Sequence, residues 1–447
     1  LVYLGCISDL GRLDLTIFDG GGTLGNPSAS LGSIVLDNVD GSLDAYLGYG
    51  FDGRSYRLYE LQEGAQSLTG ARLLASGLLA GIDTSDALYS LRLRLRDARA
   101  ALETPLLTAR YAGTTTDGTI QTFEGDETLK DQIKPRIFGS ATNMLPRQAN
   151  RFLNVWQVSD GPVASITVYD GGVPLTIAGD YPTPVAMLAA NITGGGTQRV
   201  ATCLAAGLFR LDDAAQAQIT ADVVEGATAA DRRTGAIVSR LLAFAGATAV
   251  DTPSLENLDF DVTGEIELLV DTEADALAVI AEALASAGAA LVPLADGTFS
   301  VVRVVAPAGT PVASFTLRSI DEISSIALAK GPTEEGEGVP VHQIELTWGR
   351  VWQVQNEGDL VGDVTELRRA YVKEATRRIV VEDADVKAAH PLSQKLTFDT
   401  LFASQADAQA EAERRFAIYS VRRDYLAIAV SEMEARGIRL GDRKSVV

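Results

Sequence analysis

Alternation with a period of two dominates the first hundred residues. Leu13-Asp14-Leu15-Thr16-Ile17 and Leu91-Arg92-Leu93-Arg94-Leu95-Arg96 put apolar side chains on one face and polar ones on the other, which predicts strands. Turn chemistry separates them at Gly20-Gly21-Gly22, Asn26-Pro27, Asp40-Gly41 and Asp52-Gly53. An antiparallel sandwich or open barrel has this texture. After Asp97 a short apolar helix through Leu102 is expected, ending before Pro105. From about 110 to 193 the pattern is again β-rich, with tight turns expected at Asp117-Gly118, Asp160-Gly161 and Asp170-Gly171-Gly172. Gly194-Gly195-Gly196 reads as a loop or hinge.

The period then lengthens. One strand is expected over 214–224, followed by a helix from Thr228, with Asp231 completing a capping box. Its apolar stripe is Ile237, Val238, Leu241, Leu242 and Ala245, stopped by Gly246. A helix over 272–287, capped by Thr272 with Asp275, should feed a strand at 289–294, a turn at Asp296-Gly297 and a strand at 298–305. Glu334-Glu335-Gly336-Glu337-Gly338 is a polar break. Beyond it lie a strand over 342–354, a helix over 404–419 capped by Ser404 with Asp407, and a strand over 425–430 leading to Ile438-Arg439-Leu440-Gly441-Asp442. The expectation is an α+β, β-rich chain of several antiparallel β-sandwich or barrel-like units with short packed helices. Its domains fall at 1–108 (β), 109–210 (β-rich, with hairpins), 211–333 (α+β) and 334–447 (α+β).

A length of 447 residues suits several domains, and 46% hydrophobic with 22% charged residues excludes general disorder. Lys+Arg number 38 against 59 Asp+Glu, a net charge of −21, which argues against specific nucleic-acid binding. The most membrane-like stretch, 276–295, carries Glu282, Gly288 and Pro293, so a soluble helix and strand are expected there and no integral membrane segment. No secretory signal opens the chain, and the start at Leu1 implies residues upstream.

Candidate chemistry is sparse. Cys6 and Cys203 make neither a disulfide framework nor a four-thiolate site, and read as small buried apolar residues. His342 and His390 are the only imidazoles and are expected to be structural. Neither Gly20-Gly21-Gly22-Thr23 nor Gly194-Gly195-Gly196-Thr197 has the lysine of a P-loop. The carboxylate pairs Asp212-Asp213, Asp259-Phe260-Asp261 and Asp383-Ala384-Asp385 read as solvated loops, and Asp259 with Asp261 lacks the glycine and late glutamate of a calcium loop. Trp156, Trp348 and Trp352 are expected in cores or subunit contacts. No catalytic, cofactor-binding or metal-binding residue is assigned, and the chain is not expected to be an enzyme.

Two stretches carry a family resemblance. Lys134-Pro135-Arg136-Ile137-Phe138-Gly139, Asn143-Met144-Leu145-Pro146, Val158-Ser159-Asp160-Gly161-Pro162-Val163 and Val168-Tyr169-Asp170-Gly171-Gly172-Val173-Pro174-Leu175 follow one another as in tail proteins of long-tailed, siphophage-like bacteriophages. Asp40-Gly41-Ser42-Leu43-Asp44 and Tyr49-Gly50-Phe51-Asp52-Gly53-Arg54 resemble the opening β-domain of such proteins. Ala408, Ala410, Ala412 and Arg414-Arg415, with the strand over 425–430 and Leu440-Gly441-Asp442, are similar to tail hub proteins. The resemblance covers most of the chain and is strongest between about 85 and 180.

It implies a structural baseplate hub in the virion, at the distal end of the tail. Such a hub is a homotrimer that closes the tube, contacts tube proteins above and tip or fibre proteins below, and opens for DNA ejection. Some related hubs carry a cysteine-ligated iron–sulfur cluster, from which this chain departs, having only Cys6 and Cys203. The alternative is a receptor-recognition protein that binds or cleaves host surface glycan. If the acidity serves DNA passage, Asp212, Asp213, Asp222, Glu225, Glu265 and Glu267 are expected to line a lumen.

Overall fold

The computed structural model describes the chain except for residues 1–4, 12–13, 17–27, 31, 63–66, 86–88, 120, 195–197, 307–308, 317–319, 329–338, 423, 431–437, 439–443 and 447. Strand makes up 34% and helix 23%, so sheets set the architecture, as the alternation predicts. The turn at Gly20-Gly21-Gly22, most of the Gly194-Gly195-Gly196 stretch, the break at 334–338 and the turn near Gly441 lie outside the described residues.

β1 (Ile7–Asp9) is followed by a separate pair, β2 (Asp14–Thr16) with β3 (Ser28–Ser30). Then come β4 (Ser33–Asp37), β5 (Ser55–Glu60), β6 (Arg72–Ser85) and β7 (Ser90–Asp97). An antiparallel five-stranded sheet takes the order β1-β4-β7-β6-β5. In β7, Leu91 is buried while Arg92, Arg94 and Arg96 face solvent, as the alternation predicts. Gly77 in β6 sits so close to β7 that a Cβ would strike the Arg96 carbonyl oxygen. The helix expected after Asp97 is a 3-10 turn, Ala98–Leu102. Asp97 caps it by accepting from the Arg99 N–H and also binds the buried Arg99 guanidinium at 2.8 Å.

β8 (Arg136–Met144), β9 (Arg147–Asn150), β10 (Val155–Gln157), β11 (Ser165–Asp170), β12 (Val173–Pro174), β13 (Thr176–Asp180), β14 (Arg199–Cys203), β15 (Leu208–Leu211), β16 (Ile219–Val224) and β17 (Glu267–Val270) build the middle of the molecule. Two five-stranded sheets result, β13-β14-β15-β10-β9 and β12-β11-β16-β8-β17, with α1 (Pro184–Ala189) between β13 and β14 in sequence. Ile137, Met144, Val158, Val168, Phe209 and Ile219 bring both sheets to one core. The second sheet draws strands from both sides of residue 210. β11 and β12 form the expected hairpin: Asp170 pairs with Val173, and Gly171 and Gly172 between them have φ of 55° and 86°. Two successive positive φ values are what a two-residue type I′ turn requires. The strand expected over 214–224 starts only at Ile219. The Asp170 carboxylate accepts from Gln216 N and Ala217 N at 2.8 and 2.7 Å, which holds the preceding residues as a loop.

α2 (Thr234–Phe244), α3 (Thr252–Asp261) and α4 (Ala276–Ser286) pack with β18 (Ala289–Pro293) and β19 (Phe299–Arg303). After β20 (Ala313–Phe315) and β21 (Ile320–Leu328) come β22 (Gln343–Trp348), α5 (Glu366–Val372), β23 (Arg377–Glu382), α6 (Ala384–Ala389), β24 (Lys395–Phe398), α7 (Gln405–Tyr419), β25 (Asp424–Val430) and β26 (Lys444–Val446). β22 is central in the sheet β23-β22-β24, β21 pairs with β25, and β20 with β26. The stripe Ile237, Val238, Leu241 and Leu242 is fully buried, and its core extends through Ile280, Leu284, Ile344 and Phe402.

Helix starts differ from the sequence expectation where the N–H groups find other acceptors. Thr228 and Asp231 do bond reciprocally, but around the 3-10 turn Ala230–Arg232. α2 begins at Thr234, its Gly235 and Ala236 N–H groups held by Asp259 of α3 at 2.6 and 2.8 Å. α4 begins at Ala276, whose N–H donates to the Thr104 carbonyl, so Thr272 is not its cap. The strand expected over 342–354 stops at Trp348, because Gly349 turns the chain at φ 61°. Ser404 and Asp407 cap α7 as expected. Among the described residues no helix is long and apolar enough to cross a membrane.

Candidate functional site

A cluster of buried polar groups lies where the β8, β16 and β17 side of the middle sheet meets the segment from Gly349 to Arg377. Near the end of β8 lie Thr142 and Asn143, the latter at φ 53°, a conformation asparagine tolerates. Trp352 N donates to the Thr142 carbonyl at 3.1 Å and Gln353 N to the Asn143 carbonyl at 2.8 Å, splicing the segment onto the strand end. The Asn143 side-chain amide donates to the Gln353 carbonyl and to Gln355 Oε1, and its oxygen accepts from Arg368 of α5 at 2.7 Å.

Arg368 also grips Asp222 of β16 through both terminal nitrogens, at 2.8 and 3.1 Å, while lying 3.9 Å from the centre of the Tyr169 ring. A flat guanidinium suits both contacts at once. Asp222 further accepts from Asn143 N and from the Tyr169 hydroxyl, so burial and then this carboxylate push the Tyr169 pKa up to about 12.

Glu267 of β17 lies beside this network and is 3% exposed. Its Oε1 accepts from the Thr142 hydroxyl at 2.7 Å, and Oε2 has no partner among the described residues. Burial, reinforced by the charge of Asp222, pushes its pKa up to about 7, against the opposing effects of the Thr142 hydroxyl and of Arg377. Arg377 of β23 stacks 3.4 Å from the Tyr371 ring centre and donates to the carbonyls of Gly349 and Tyr371.

A second cluster ties α7 to β19. Buried Glu411 accepts from Arg303, Arg414 and Arg415. Burial disfavours its charge, but the Arg414 hydrogen bonds and the Arg415 charge prevail and hold its pKa below the ordinary value. Beside it is a cavity of 620 Å³, walled by Leu277 and Ala281 of α4, Leu291 of β18, Phe398 of β24 and Tyr419 of α7. Of the arginines at its edge, Arg414 and Arg415 are committed to Glu411 and Arg99 to Asp97, which leaves a mainly apolar space.

The carboxylates expected to line a lumen each make a bond within the chain. Asp212 accepts from Arg199 N and Asp213 from Ala214 N, Glu225 pairs with Arg240 at 2.8 Å, and Glu265 pairs with Arg232. Asp222 and Glu267 belong to the network above. Apart from Asp213, which bonds the next residue, short-range sequence cannot reveal these partners, since each is distant along the chain. Among the expected solvated pairs, Asp259 caps α2 and burial pushes its pKa up, while Asp261 lies 3.9 Å from Arg303 and Asp383 caps α6.

His342 Nδ1 meets Ser393 Oγ at 3.2 Å, but that hydroxyl donates to the Pro340 carbonyl, so the serine is an acceptor and not an activated nucleophile. His390 ends α6. Cys203 is buried, with burial pushing the thiol pKa up, whereas Cys6 is only half-buried, because it precedes the edge strand β1. Trp156 stacks on Phe209 in the middle core, and Trp352 lies beneath Arg350. Among the described residues no group of three or more His, Cys, Asp or Glu could hold a metal.

No family model and no curated protein matches the sequence. Among solved structures, the tail protein from Neisseria meningitidis MC58 is similar over 56% of this chain and 69% of its own, at 13% identity and a TM-score of 0.28. That is too slight a likeness to define a shared fold.

Proposed function

We propose that the chain is a structural component of a long-tailed phage tail, and within it the baseplate hub that closes the tube and joins it to tip or fibre proteins. The supporting observation is the order of the motifs between Lys134 and Leu175, taken with the work each performs in the fold. Arg136 donates to the Asp160 carbonyl across the first and third motifs. Gly139, at φ 83°, lets the Ile266 carbonyl approach closer than a Cβ would allow. Asn143 extends the splice to the C-terminal segment, and Gly171-Gly172 closes the hairpin. Residues that fix sheet junctions suit a scaffold whose function is the placing of surfaces. The carboxylates with raised pKa values, Asp259 and Glu267, are bound into capping and joining roles.

The test is multi-angle light scattering on the purified chain, combined with antibody labelling of phage tails in electron micrographs. A trimer and label at one tail end are expected. A monomer that releases oligosaccharide from host polysaccharide would overturn the reading in favour of glycan cleavage.

A further inference from the structure

Glu267 is an expensive residue to keep. It buries a carboxyl with one oxygen unpartnered, at the seam between a sheet and the segment spliced onto it. A carboxylate left in such a place costs far more than a carboxylic acid. We propose that Glu267 is a protonation latch: the joint between the middle sheet and residues 349–377 is tight while this carboxyl carries its proton and loosens when the proton leaves.

Thr142 couples the carboxyl to the joint. Its hydroxyl binds Glu267 Oε1, and its carbonyl accepts the Trp352 N–H that begins the splice. The charged and titratable groups around Glu267 are Asp222 from β16, with Tyr169 of β11 and Arg368 of α5 bound to it, Tyr371 of α5, and Arg377 of β23. The Leu401 carbonyl takes the Glu267 N–H. Arg368 is committed to Asp222, so Arg377 is the cation an ionised Glu267 would attract. Arg377 has no carboxylate partner among the described residues and instead holds the Gly349 and Tyr371 carbonyls. A negative Glu267 therefore competes with the bonds that shape the spliced segment. It also stands beside the negative Asp222 of the same sheet, which adds like-charge repulsion on the face where the segment docks.

The direction follows from proton counting. The closed joint raises the carboxyl from 4.5 to about 7, so closed molecules bind more protons than open ones between those values. Opening grows as pH rises through that window and levels off above 7. Between pH 5.5 and 7.5 the opening equilibrium should increase about twentyfold. This latch does not depend on the tail reading.

The experiment is amide hydrogen exchange on the intact chain at pH 5.5 and pH 7.5, expressed as protection factors so that intrinsic base catalysis cancels. Trp352 and Gln353 amides should lose about twentyfold protection in the wild type. In Glu267→Gln, which keeps shape and stays neutral, they should be equally protected at both pH values. Unchanged protection in the wild type, or the same loss in the variant, would overturn the latch. Should the variant not fold, isotope-edited infrared titration of the wild-type carboxyl decides: a midpoint near 7 supports the latch, and one near 4.5 rules it out.

Discussion

Arg368 illustrates what one side chain can join. It reaches from α5 to Asp222 and Asn143, residues 146 and 225 positions away, and covers the Tyr169 ring. Removing it leaves Asp222 with two hydrogen bonds and no counter-charge. A fully buried pair broken on one side costs roughly 3–5 kcal/mol. Asp222 keeps 29% of its side chain exposed, so Arg368→Ala should cost less, about 2–3 kcal/mol of unfolding free energy. Arg368→Lys retains charge but not the forked geometry and should recover only part of that. In a double-mutant cycle with Asp222→Asn, urea denaturation should return a coupling of about 1–3 kcal/mol. Simple additivity would mean that the two groups do not act as a pair. None of these contacts is encoded in the residues flanking Arg368, because its partners come from β8, β11 and β16.

Elements were legible where their instructions are local. The leucine–arginine alternation of β7, the buried stripe of α2 and the Ser404–Asp407 cap of α7 all lie within a few positions of the structure they produce. Boundaries shifted where a distant group intervened: Asp259 set the start of α2, and the Asp170 carboxylate held the loop ahead of β16. The β11–β12 hairpin is local in origin and reinforced from afar. At Gly171 a Cβ would come within 2.8 Å of Val361 and 2.9 Å of Ala217, and at Gly172 within 2.7 Å of Leu360 and 2.9 Å of Val364. Positive φ alone penalises a β-branched residue by about 1–2 kcal/mol. Contact with the packed Leu360 and Val364 raises the expected cost of Gly172→Val to about 3 kcal/mol or more, while Gly171→Val, against Ala217 and the exposed Val361, should cost about 2 kcal/mol or more. Thermal melts of both variants test this, and a melting temperature equal to wild type in either would remove the turn assignment.

On the scale of the whole molecule, charge has to be assigned by subtraction. Pairing moves no charge off the molecule, so the excess of 59 acidic over 38 basic residues remains a net −21 however the ion pairs are shared, as at Glu411, which holds three arginines. Asp222, Glu225 and Glu265 are each paired with an arginine and Glu267 is buried, which reduces what they add to the outward field. The candidate site stayed hidden in the sequence for the same reason: Thr142 and Glu267 lie 125 residues apart, and only the β8–β17 ladder makes them neighbours. What remains outside must still be overcome when copies meet, since each carries −21. In the proposed trimer this repulsion is long-range and screenable, whereas buried apolar contacts gain little from modest salt. Raising sodium chloride from 20 to 300 mM shortens the Debye length from about 20 Å to about 6 Å. Self-association followed by sedimentation equilibrium should therefore tighten over that range. The same surface should hold duplex DNA at neither salt, because it offers phosphates no net positive field. Association that weakens with salt would mean instead that the copies meet through complementary charged patches, and salt-sensitive DNA binding would place a basic track on a surface whose total charge conceals it.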